Sequence, residues 1–136
     1  MKKAGILVLF FAMTVSAAAQ QPQDDPIGRN LFPPELVMNH QNEIGLSEEQ
    51  RTAIRSLLQT AQSNFVGVQW RLQDETEKMT SMLRQRPIDE SKVLAQSDIV
   101  MSLEREIKRT HLSLLIRIKN LLTEEQQSKL SAMRGR

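Results

Sequence analysis

From Ile54 onward, apolar side chains recur in alternating steps of four and three: Ile54, Leu58, Ala61, Phe65, Val68, Leu72, then Met79 and Met82, with Glu75 filling the one gap. That spacing keeps one stripe of a helix facing a single direction. Sustained over about four heptads, it demands a second helix of similar length alongside. Pro87 ends the run, since the residue before a proline is disfavoured from helix. Asp89 can cap a second long helix, whose seam passes through Val93, Val100, Ile107, Leu114, Ile118 and Leu121, widened by Leu94, Met101, Leu103, Leu115 and Leu122. A connection this short between two such helices predicts an antiparallel hairpin. Its arms would be about 50 Å long at 1.5 Å per residue.

The flanks fit short helices. Pro33-Pro34 can open one over Pro34 to Ile44, with Gly45 as a left-handed stop. Ser47, with Gln50 three residues on, has the capping-box arrangement for the first long helix, and Thr123 caps a final helix to about Met133. The expectation is an all-α protein of about four helices, a long hairpin with short flanking helices, forming one domain over residues 34–136.

The first nineteen residues have the form of a secretory signal. Lys2 and Lys3 are basic, Ile6 to Val15 is apolar, and Ala17-Ala18-Ala19 places small residues at a cleavage site. The apolar run is shorter than a membrane-spanning helix requires, so no stable membrane insertion is expected after cleavage. Residues 20–33 then form a mature N-terminus expected to be flexible, from its polar start. The chain holds 18 Lys and Arg against 16 Asp and Glu, and the signal takes two lysines and no acid, so the mature charges balance. With export and no basic block, a nucleic-acid partner is not expected. Cysteine is absent, which removes disulfides, thiolate nucleophiles and cysteine-based metal sites.

Two segments repeat each other. Leu46-Ser47-Glu48-Glu49-Gln50 is followed by Ile54 and Leu57, and Leu122-Thr123-Glu124-Glu125-Gln126 by Leu130 and Met133. One helix-start module is used twice, flanking the hairpin. With these motifs the chain resembles the LTXXQ-containing Spy/CpxP family of periplasmic proteins and the related periplasmic heavy-metal resistance and sensor proteins. Leu122 to Gln126 fits the motif fully, and Leu46 to Gln50 departs by serine for threonine. The resemblance implies an all-α hairpin, a homodimer shaped as a thin cradle, and a periplasmic location. It also implies activity as an ATP-independent chaperone, as a stress-pathway modulator or as a metal-binding sensor.

No glycine-rich phosphate loop, nucleophile elbow or metalloprotease motif is present, and the chain is read as a non-enzyme that needs no cofactor. For metal, the candidates are His40 and His111, with Glu104 one heptad before His111. Imidazole with carboxylate suits zinc, nickel or cobalt, and methionines would suit copper. The positions one turn after each histidine hold Ile44 and Leu115, which cannot coordinate. The bland alternative is a buried His111 bonded to Glu104 or across the hairpin. For client or dimer contact the candidates are Val66 and Trp70, which point away from the seam unless the first helix folds over them, and Met79 and Met82 near the hairpin tip. The leading expectation is a chaperone or envelope-stress adaptor that binds partly unfolded proteins or a membrane signalling protein. The alternative is a heavy-metal sensor or resistance protein.

Overall fold

The computed structural model describes residues 25–134, so the signal expected over residues 1–19 lies outside the described part. The described residues contain α1 (Pro34–Asn39), α2 (Glu48–Leu83), α3 (Glu90–Leu121) and α4 (Glu124–Met133), and no strand. α2 and α3 run 36 and 32 residues and pack along each other as the expected hairpin.

The helix starts are built as the sequence dictates. Gln50 N donates to Ser47 Oγ at 3.1 Å while Ser47 N donates to Gln50 Oε1 at 2.9 Å. Thr123 and Gln126 repeat the arrangement at 3.2 and 3.0 Å. Asp89 accepts from the Lys92 amide at 3.1 Å. Each cap satisfies backbone donors that the first helical turn leaves unpaired.

The two modules also lock onto one another. Gln50 Nε2 donates to Gln126 Oε1 at 2.8 Å, and Gln126 Nε2 returns a bond to Gln50 Oε1 at 3.0 Å. Gln50 donates further to the Leu121 carbonyl at 2.7 Å, and Gln126 to the Gly45 carbonyl at 3.2 Å. Both side-chain N–H groups of each amide are therefore used. Around this pair lies the core, at the open end of the hairpin: Phe32, Val37, Ile44, Leu46, Ile54, Ile118, Leu122 and Leu130.

Three expectations need correction. The first helix ends at Asn39 rather than Ile44. Residues 40–45 turn instead, with Ile44 N bonded to the His40 carbonyl and Gly45 at a left-handed φ of 67°. With the chain turning there, Val37, Ile44 and Leu46 all join one core. Of the segment over 20–33, expected to be flexible, the described part from residue 25 carries a 3-10 turn at Gly28–Asn30 and buries Leu31 and Phe32. There the burial of two large apolar groups outweighs the polar start of the segment. Lys119 Nζ and Arg134 Nη1 hold the carbonyls of Asn30 and Arg29 at 2.7 and 2.6 Å, and both cations lie against the Phe32 ring.

The third correction concerns the seam of α3. Leu94 and Met101 are exposed, whereas Gln96 is buried. Gln96 sits in the four-and-three spacing between Val93 and Val100 and so faces α2 whatever its polarity. Its amide is satisfied there, donating to the Glu75 carbonyl at 2.8 Å and the Glu75 carboxylate at 2.6 Å.

Candidate functional site

The hairpin seam is not evenly filled. Ile54 and Ile118 are fully buried near the base, and Val68, Val100 and Leu103 are buried further out. Between these layers Phe65 stands at a seam position yet is 43% exposed. Its level combines the small Ala61 with the polar Asn64 and Thr110, which leaves the ring no continuous apolar partner. The result is an open cleft of about 600 Å³ between the arms, floored by Leu58, Phe65, Val68, Ile107, Leu114 and Leu115. Pro33, Pro34 and Glu35 form one wall, so the buried Leu31-Phe32 segment positions that wall. Gln62 and His111 add polar groups at the lining. An apolar concavity with a few polar groups is the usual form of a binding site.

The residues singled out from sequence are not brought together. Val66 and Trp70 lie on the outer face of α2, 47% and 63% exposed. The first helix does not cover them: Leu31 and Phe32 are buried, Phe32 in the basal core, and Leu36 packs against that core. Met79 and Met82 are half-buried toward the hairpin tip. His40 follows α1 and its Nδ1 lies 2.9 Å from Glu43 Oε1. His111 is exposed at the cleft, which overturns the buried alternative. Glu104 is exposed two turns away, about 10.5 Å along the axis, too far to share an ion with His111. Among the described residues, no three His, Asp or Glu side chains gather into a group that could hold a metal ion.

The electrostatics are those of solvated helix faces with local pairs. Glu75 is a carboxylate bonded across the seam, to Gln96 of the other arm. Its bond to Lys78 at 2.7 Å, and then the bond from Gln96, hold its carboxyl below the usual carboxylate range. Glu49 and Glu125 are also lowered, the first by its backbone hydrogen bond and the second by Lys129. None of these groups lines the cleft.

Sequence reasoning placed Phe65 in the seam and so missed it as a site residue. The signal was the level itself: an aromatic ring beside an alanine, facing a threonine on the other arm. The contribution of Pro33 to Glu35 could not be read, because it depends on where the buried Leu31-Phe32 pair is anchored.

Among the described residues, no helix is long and apolar enough to cross a membrane. Comparison with known families matches residues 6–129 to the heavy-metal resistance family. No curated protein and no solved structure matches the chain. Capped modules that flank a long hairpin in sequence, and a family match over nearly the whole sequence, agree: the chain belongs to the heavy-metal resistance family, which includes the Spy/CpxP-like LTXXQ periplasmic proteins.

Proposed function

We propose that the protein, exported and cleaved near Ala19, is a periplasmic ATP-independent chaperone or envelope-stress adaptor. It acts by binding, without catalysis, on exposed apolar segments of partly unfolded proteins or of a membrane signalling partner. The observation that carries this reading is the cleft at Phe65: a large ring held in a seam position but open to solvent, within an apolar floor. Apolar surface kept accessible on a stable hairpin suits weak contact with varied partners, and such contact needs no fixed reacting geometry.

The test is light scattering of a chemically denatured client diluted with and without the protein, with neither nucleotide nor metal added. Suppression of aggregation near stoichiometric amounts is expected. It should fall several-fold in Phe65→Ser, with unchanged helical circular dichroism. No suppression at several-fold excess would sink the reading.

A second reading is favoured by the family match and by the His40–Glu43 pair at 2.9 Å. In it the protein binds a divalent transition metal, zinc, nickel, cobalt or copper, as a sensor or resistance factor. Calorimetric titration of each ion decides it. Micromolar or tighter binding that is lost in His40→Ala or His111→Ala supports it, and heats unaffected by both substitutions remove those residues as ligands.

A further inference from the structure

One stripe of α3 faces away from α2 and carries charge of a single sign. Steps of three and four along it hold Met101, Arg105, Lys108, Leu112 and Ile116, with Arg109 beside them. The stripe is about 22 Å long at 1.5 Å per residue. All six side chains are exposed. Toward the hairpin tip the stripe meets Asp98, but from Met101 to the helix end it holds no acid. Glu104 and Glu106 stand on its two flanks, and Glu106 lies 3.8 Å from Arg71 of the other arm. Among the described residues, Arg105, Lys108 and Arg109 make no ion pair within the chain.

We infer that this stripe rests on an anionic lipid surface, as a peripheral contact. The occupant follows from the way cations and apolar groups are interleaved. Lys108 and Arg109 stand one turn before Leu112, on either side of it, and Arg105 stands one turn after Met101. That order lets the cations meet lipid phosphates while Met101, Leu112 and Ile116 enter the headgroup layer between them. A protein partner is matched less well, because the centre of a protein interface is depleted of charge, whereas here cations hold the middle of the stripe. A second copy of the stripe would set like charges together. No helix among the described residues is long and apolar enough to cross a membrane, so the contact lies on the surface. The inference is independent of what the cleft at Phe65 binds, since none of these six residues lines it.

Flotation of the processed protein with lipid vesicles tests it. Vesicles of phosphatidylglycerol and phosphatidylcholine in equal parts should bind at least tenfold more tightly than phosphatidylcholine alone, and salt at about 0.5 M should remove most of the difference. Each Lys or Arg close to such a surface contributes roughly fivefold. Lys108→Glu with Arg109→Glu should therefore weaken binding tenfold or more, and Leu112→Ser several-fold. Arg55→Glu with Arg84→Glu makes the same change of net charge on α2 and should leave binding within about threefold. Helical circular dichroism and suppression of client aggregation should be unchanged in the α3 charge variant, so a failure of this inference and a failure of the cleft reading remain distinguishable. No binding to the anionic vesicles at millimolar lipid overturns the inference. Equal losses in the two charge reversals, or binding of an acidic amphipathic peptide with none to vesicles, overturn it as well.

Discussion

Removing one member of the Gln50–Gln126 pair should cost more than an ordinary half-buried side chain would. Gln126 holds four hydrogen bonds: to and from Gln50 at 3.0 and 2.8 Å, to the Gly45 carbonyl at 3.2 Å, and from the Thr123 amide at 3.0 Å. At about 1 kcal/mol net per bond, with some replacement by water, Gln126→Ala should destabilise the fold by about 2–4 kcal/mol. Gln50→Ala should cost a similar amount, since it loses the Leu121 carbonyl and its own cap as well. Two of the bonds are mutual. The double variant should therefore lose about 1–2 kcal/mol less than the two single losses combined. Urea denaturation followed by circular dichroism measures all four corners of the cycle, and the exposed Gln59→Ala provides a baseline near zero. Additivity within about 0.3 kcal/mol would refute the reasoning, because it would mean each amide serves only its own helix start.

Three further outcomes are expected. Glu75 has a folded-state pKa lowered first by Lys78 and then by Gln96, so its contribution is present above the unfolded carboxyl value of about 4.3 and is lost as pH falls through the folded value. Urea midpoints from pH 6 to pH 3 should fall more steeply for the native chain than for Glu75→Gln, the residual slope coming from groups such as Glu49 and Glu125; parallel slopes would contradict this. Gly67 lies inside α2 with open space where a Cβ would stand, so Gly67→Ala should stabilise the fold by about 1 kcal/mol, read as a raised urea midpoint. Phe32→Ala should cost about 3–5 kcal/mol in the same measurement, because the ring is buried in the basal core beneath Lys119 and Arg134; a loss under about 1 kcal/mol would detach the N-terminal segment from the core.

The architecture was legible because its causes are local. Periodicity alone lays out α2 and α3, Pro87 separates them, and Ser47, Asp89 and Thr123 mark their caps and that of α4. What stayed hidden depends on contacts far apart in the chain. Each motif glutamine was readable as half of a capping box, but not as the partner of a glutamine 76 positions away. Gln96 obeys the seam spacing but was passed over because it is polar, and its acceptors belong to the other arm. Leu31 and Phe32 come after a polar stretch, and only the folded chain buries them, Phe32 in the basal core with residues as distant as Ile118 and Leu130. The candidate site lost most for the same reason. A cleft is a failure of packing between two arms, whereas a spacing rule records where side chains point and not whether the space opposite them is filled.

Stability and accessibility are therefore divided along the hairpin. The base is closed by Ile54, Ile118, Leu130 and the glutamine pair, and the outer half by Val68, Val100, Leu103 and the Gln96–Glu75 bonds. With both sides of the gap fixed, the level at Phe65 can remain under-packed without releasing the arms. Filling it should then strengthen the hairpin while closing the site. Ala61→Leu places a larger side chain beside Phe65, where it should raise the urea midpoint or leave it unchanged and reduce any aggregation suppression together with it. If instead the larger side chain destabilised the fold by about 1–3 kcal/mol, as overpacking a filled core does, the level would already be closed and Phe65 would not mark a binding cleft.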